Sequence, residues 1–248
     1  MYKEIDIEYI YHSCFVVNFE NMSMVFDYYK GDLSSFRPGG FVFVSHNHED
    51  HYNPQIFERD DSFTYFTIMS NDILDYERKG RLIEIEDRDK WKDLKRPLPY
   101  TRIMMNEYDW MAMDDIRVQT FGSTDRGSCF HVKYDGINIF HAGDLNLWIW
   151  DEDTPEERAQ MEEDFMEIVD KVSQLPVDIA FFPLDPRLGD RYADGFNIFL
   201  EKLKPSMIFP MHFGDDISYN LRYISDFPEY SQVFRPIFNK NQNFKVNY

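Results

Sequence analysis

The sequence predicts an α/β protein of layered type, with strands running first and helices alternating with strands afterwards. Three observations predict it. Short runs rich in Val, Ile, Phe and Tyr recur through the first half with turn residues between them. A complete helix start stands at Thr154-Pro155-Glu156-Glu157, and strand and helix patterns alternate beyond it. Residues able to carry chemistry fall where apolar runs end, so they can converge on one edge of a layered structure.

In order, Ile5 to Tyr11, Cys14 to Phe19, Met22 to Tyr28 and Phe41 to Ser45 read as a meander of strands. Phe63 to Met69 and Leu82 to Ile85 are further strands, flanking a polar stretch from Asn71 to Arg81 that suits a helix. Lys90 to Arg102, rich in charge and proline, reads as a surface loop able to act as a lid. Strands then resume at Arg117 to Phe121, and Ser128 to Tyr134 joins Ile137 to Phe140 across Asp135-Gly136, a strong hairpin signal. The helix opened by Thr154 carries an apolar stripe of Phe165, Ile168, Val169 and Val172. Asp178 to Phe182 is a strand, Tyr192 to Leu203 a helix, and Met207 to Phe209 a strand running into Pro210-Met211-His212. There is no internal repeat, linker or low-complexity tract, so residues 1–248 read as one domain.

Composition narrows the function. With 43% hydrophobic and 17% aromatic residues the chain must pack a substantial core. A formal net charge of -19 speaks against nucleic-acid partners, which are met by clustered basic surface, and favours a small-molecule substrate. Cys14 and Cys129 are the only cysteines and form no CxxC, which fits a reducing compartment rather than a disulfide framework. Neither a signal peptide nor an apolar run long enough for a membrane span is present, so a cytoplasmic location is expected.

The chemistry concentrates in Ser45-His46-Asn47-His48-Glu49-Asp50-His51, directly after the apolar run Phe41 to Val44. Imidazole and carboxylate suit zinc and other first-row divalent ions, and the two-residue spacing turns His46 and His48 to one side of an extended backbone. Asp50 and His51 fall on the following turn. Asp144, after the strand ending at Phe140, and His212, after the strand ending at Phe209, complete six candidate ligands. Six suit two ions sharing a bridging carboxylate, with positions open for water and substrate.

On these residues the chain resembles the metallo-β-lactamase superfamily, whose His-x-His-x-Asp-His signature is matched by His46, His48, Asp50 and His51. Gly143-Asp144 matches the later Gly-Asp, and His212 the C-terminal histidine. His12-Ser13 and Phe140 to Leu145 add a likeness to the branch that includes ascorbate-6-phosphate lactonase. The resemblance implies a four-layer αβ/βα sandwich, with a two-metal site at one edge of its sheets. It further implies a hydrolase in which two divalent ions, zinc first and manganese or iron as alternatives, hold and acidify a water that attacks an ester, lactone or phosphoester. Asp50 would orient that water and take its proton. A nuclease of the same superfamily and a non-catalytic metal sensor are the rival readings.

One departure stands out: where the family supplies a third histidine for the first metal, this chain reads Phe121-Gly-Ser-Thr-Asp-Arg-Gly127. Either Asp125 takes that place, hardening the site, or the position lacks its ligand. His12 and His141 read as residues behind or beside the site that could meet substrate, and Arg187 as a fork of donors for an anionic substrate group. Trp148-Ile149-Trp150 suits packing or the wall of the pocket mouth. The sequence leaves a homo-oligomer open.

Overall fold

The computed structural model describes residues 4–58, 66–73, 82–84 and 101–248. The early strands form where the apolar runs stand: β1 (Glu4–Tyr11), β2 (Cys14–Asn18), β3 (Ser23–Phe26), β4 (Phe41–Val44), β5 (Phe66–Ser70), β6 (Leu82–Glu84) and β7 (Thr101–Met105). With the C-terminal β14 (Gln242–Asn247) they build an eight-stranded sheet in the order β14-β1-β2-β3-β4-β5-β7-β6. Of the first four strands, β1 to β3 form a meander. β4 lies parallel to β3 and β5 parallel to β4, so the expected four-strand meander ends one strand early.

The second sheet comprises β8 (Trp110–Met113), β9 (Ile116–Phe121), β10 (Cys129–Tyr134), β11 (Ile137–His141), β12 (Ile179–Pro183) and β13 (Met207–Met211), ordered β13-β12-β11-β10-β9-β8. β8 to β11 are antiparallel and β11 to β13 parallel. The hairpin between β10 and β11 turns at Asp135 (φ 52°) and Gly136 (φ 87°), the two positive φ values that a type I′ turn demands.

The inner faces of the two sheets meet through aromatic side chains: Phe15 on β2 packs 4.2 Å from Phe181 on β12, and Phe43 on β4 packs 5.4 Å from Phe130 on β10. Helices α1 (Pro155–Val172) and α2 (Asp194–Leu203) cover the outer face of the second sheet. Thr154 and Glu157 form the reciprocal capping box of α1, whose buried residues are Phe165, Ile168, Val169 and Val172. On α2, Phe199 stacks on Phe140 and Phe182 at 5.1 and 4.4 Å. Tyr223 of α3 (Ser218–Asp226) lies against Phe196 and Phe234. The outer face of the first sheet buries Val16, Val25, Val42 and Val44 under Leu33, Phe36, Ile56 and Phe57. The result is two mixed sheets flanked by helices.

Sequence reading passed over β8, α3 and β14, whose polar positions dilute the pattern. Arg102, expected in a loop, lies in β7. The helix expected at Asn71 to Arg81 and the loop from Lys90 fall largely outside the described residues, 74–81 and 85–100.

His131 on β10 is buried and donates through Nε2 to the Pro176 carbonyl at 2.8 Å. Burial lowers its pKa from the ordinary 6.5. The unfolded chain therefore takes up a proton that the folded one resists, and stability falls as pH drops below about 6.5. Urea unfolding should show a larger loss of midpoint between about pH 7 and pH 5 for the wild type than for His131→Gln.

Candidate metal centre

The residues able to ligate a metal sit at the carboxyl ends of strands from both sheets. β1 delivers His12, β3 Asp27, β4 His46 and His48, β9 Asp125, β11 Asp144, β12 Asp185 and β13 His212. Three of them leave their strands with left-handed backbone: His12 at φ 57°, Asp27 at 44° and His212 at 68°. Such conformations are uncommon outside glycine and cluster where function over-determines the backbone. His212 N–H donates to the His12 carbonyl at 3.2 Å, joining the sheets at this edge. Two glycines close the seam. A Cβ on Gly127 would stand 2.0 Å from the Ser45 carbonyl oxygen, and one on Gly143 2.8 Å from Ser45 Cβ. Only bare backbone lets the Asp125 and Asp144 loops press onto the histidine turn.

Asp144 occupies the middle, 5% exposed. Its Oδ2 lies 3.3 Å from His46 Nε2 and 3.9 Å from His48 Nδ1, while its Oδ1 lies 3.0 Å from His51 Nε2 and 3.2 Å from His212 Nε2. One carboxylate thus faces two sets of imidazoles with one oxygen each. Among the described residues ligand atoms fall into three groups, each spanning no more than 4.8 Å: His46, His51 and Asp144; His48, Asp125 and Asp144; His12, Asp50, His51 and His212. All seven residues expected as ligands are brought together, Asp125 among them. His12 joins them, with Nε2 3.3 Å from Asp50 Oδ2.

The donor set fits divalent ions. His46, His51 and His212 Nε2 and Asp144 Oδ1 are buried and make no hydrogen bond, although they approach one another closely. Buried polar atoms are rarely left so, and several orphans aimed at one space are what a cation would satisfy.

The opposite ring nitrogens are held. His51 Nδ1 is 2.7 Å from Asp27 Oδ2, and Asp27 also accepts from Ser45 N–H at 2.7 Å and Ser45 Oγ at 2.6 Å. His212 Nδ1 is 2.7 Å from Asp185 Oδ2, and Arg187 grips that carboxylate through Nε and Nη2. A carboxylate on Nδ1 fixes the tautomer that leaves Nε2 free for a metal. Sequence reading missed Asp27 and Asp185 as site residues; the available signal was an aspartate directly after a buried run in each case.

The contacts of His141 and Arg187 narrow what each can do. His141 is fully buried, donates through Nε2 to the Ser13 carbonyl at 2.8 Å and accepts from Gly143 N–H through Nδ1 at 3.2 Å, so it braces the Asp144 turn rather than meeting substrate. Arg187 commits one edge to Asp185 and packs over Trp148 and Trp150 at 5.6 and 5.9 Å. Its side chain is still 60% exposed beside His212, so it keeps donors for solvent or substrate.

Residues 6–161, more than half of the chain, match the family model described as "Beta-lactamase superfamily domain". The chain belongs to the metallo-β-lactamase superfamily. Solved structures share its fold. Igni18, a metallo hydrolase of the archaeon Ignicoccus hospitalis, is 16% identical with a TM-score of 0.62 over 99% of both chains. YhfI of Bacillus subtilis, a metallo-β-lactamase fold protein, is 10% identical with a TM-score of 0.61 over 98% of this chain and 100% of its own. CmlA of Streptomyces venezuelae, a diiron β-hydroxylase, is 12% identical with a TM-score of 0.60 over 98% of this chain and 54% of its own. No curated protein matches the chain. Family and buried His/Asp cluster together make this a metal-dependent hydrolase of the metallo-β-lactamase superfamily.

Electrostatics of this metallo-β-lactamase site follow from the same contacts. Burial opposes charge on Asp144, yet His51 and His212 hold its pKa well below the carboxylate range. Burial likewise pulls His51 and His212 down, but Asp144, with Asp27 and Asp185 behind, carries both above the usual imidazole value. For Asp185 itself burial pushes up, and hydrogen bonds from His212 and Arg187 bring the pKa down to about 2. Without an ion His51 and His212 keep protons against Asp144, and a cation must displace them. Zinc binding should therefore release protons and tighten as pH rises, which calorimetry in buffers of different ionisation enthalpy will read. Asp185→Asn should weaken zinc about ten- to a hundredfold in chelator competition, with far-UV circular dichroism unchanged.

Proposed function

We propose that the chain hydrolyses a small-molecule ester, lactone or phosphoester at two divalent ions, with a sugar-acid lactone the first substrate class to try. The supporting observation is the division of Asp144, one oxygen toward His46 and His48 and the other toward His51 and His212. Bound ions would supply an acidified water and polarise the electrophilic oxygen. The chain's own residues do the rest. His46, His48 and Asp125 would hold the first ion; Asp50, His51 and His212 the second; Asp144 both. His12 steadies Asp50, which is about half exposed and so stays open to solvent. There Asp50 would orient the attacking water and receive its proton. The free edge of Arg187 would meet a carboxylate or phosphate on the substrate.

In this assignment each set combines two imidazoles with two carboxylates, Asp125 standing where a third imidazole would make the first set softer; zinc comes first, with Mn2+ or Fe2+ as alternatives. The lactonase likeness rests on His12-Ser13 and the segment around Asp144. A small-molecule substrate rests on the net charge of -19, which disfavours a nucleic acid.

Elemental analysis of protein purified without added metal should find two ions per chain, and a lactone and phosphoester panel should find turnover that chelation abolishes and metal restores. One ion or none, with no turnover after metal is supplied, overturns the proposal. Asp125→Ala should lose one ion and lower kcat/KM at least about tenfold; unchanged metal content and rate would remove Asp125 from the ligand set.

A further inference from the structure

On the outer face of the second sheet, away from the metal centre, a groove of about 300 Å3 opens between the β8 edge and the Leu175-Pro176 segment after α1. Its floor is fixed by register. Arg117 on β9 stands directly opposite Lys133 on β10, and Lys133 opposite Asn138 on β11. Strand alternation sends Ile116, Val118 and Val132 into the core, so Arg117 and Lys133 emerge side by side on the outside. Like charges directly opposite each other on a sheet repel. Neither forms a salt bridge with a carboxylate among the described residues, in a chain with 45 acidic and 26 basic residues. The pair is an unanswered cationic site.

Asn138 supplies an independent sign. It lines the groove and is 7% exposed. Its backbone N–H and its Nδ2 both donate to Asp178 Oδ2 at 2.8 Å, which fixes the orientation of the amide. Oδ1 is thereby left buried with no hydrogen-bond partner. A ligand for this groove must bring an anion to Arg117 and Lys133 and an N–H or O–H donor to Asn138. Trp110, 55% exposed, forms the wall at the β8 edge. It is paired with Gln119, two residues along β9 from Arg117, a diagonal of about 7–8 Å. A phosphate and a planar ring joined by a hydroxyl-bearing sugar span that distance. Gln119 and His131 line the floor between them, the latter committed to the Pro176 carbonyl.

We propose that this groove binds a nucleoside monophosphate, with the phosphate on Arg117 and Lys133, a sugar hydroxyl or base N–H on Asn138 Oδ1, and the base along Trp110. The site is separate from the metal centre. Lys133 and Asn138 flank the Asp135-Gly136 turn, whereas Cys129 and His141 mark the other ends of the same strands, where the metal centre lies.

The test is calorimetric titration of the metal-loaded protein with AMP, GMP, CMP and UMP, and with inorganic phosphate, ribose 5-phosphate and adenosine as partial ligands. At least one mononucleotide should bind with Kd below about 1 mM and at least about tenfold more tightly than each partial ligand. Lys133→Gln and Arg117→Gln, both exposed positions, should each weaken it about tenfold or more, and chelation should leave it unchanged. The proposal is overturned if no mononucleotide binds at about 5 mM or if Lys133→Gln binds like the wild type. It also falls if chelation abolishes binding, which assigns it to the metal centre, or if ribose 5-phosphate binds as tightly as any nucleotide.

Discussion

Burying the Asp144 carboxylate where two sheets meet would cost several kcal/mol if its charge went unanswered. The architecture of this edge supplies the answer from both sides. His46, His48 and His51 arrive from the first sheet, His212 from the second, and each sheet places its strand ends within about one side-chain length of the same carboxylate. Tight backbone follows from that demand. Gly127 and Gly143 let loops of the second sheet touch Ser45, and left-handed turns at His12, Asp27 and His212 bring side chains round the corner of their strands. Relaxing any of these would separate the carboxylate from its imidazoles.

The histidine turn was legible because it is local: three histidines and an aspartate within six residues announce themselves without a fold. Asp27 and Asp185 were not, since a lone aspartate after a strand reads as a turn residue, and only the packing of the two sheets reveals what it faces. His141 shows a signal that was present and unused. Ile137, Ile139 and His141 share strand parity, so a ring at 141 belongs with the core-facing set, where it stacks on Phe26 at 5.1 Å. The helix at Thr154 was legible to the residue, because its start is written in capping chemistry. The parallel pairing of β4 was not, since a crossover between parallel strands depends on distant packing rather than on the turn between them.

The acidity of the chain has two consequences that pull in opposite directions. A field of net charge -19 raises the local concentration of divalent cations near the carboxylate-lined edge and discourages anions. Any anionic substrate must then be recovered by local positive charge, and Arg187 beside His212 is such a group, held in place by Asp185 and two tryptophan faces. The same field makes Arg117 and Lys133 conspicuous on the outer sheet face, because in so acidic a chain neither forms a salt bridge with a carboxylate among the described residues, Asp178 nearby being engaged by Asn138.

The hydrogen bond from His212 to the His12 carbonyl joins positions that lie 200 residues apart in the chain. During synthesis the histidine turn and Asp144 are made long before His212 emerges, so the nascent chain can offer an ion only part of its cage. Any ion that needs His212 would consequently bind late, once β13 has docked. An ion acquired then would clamp the first and last thirds of the polypeptide together, making metal supply a determinant of how long the finished protein survives in the cell.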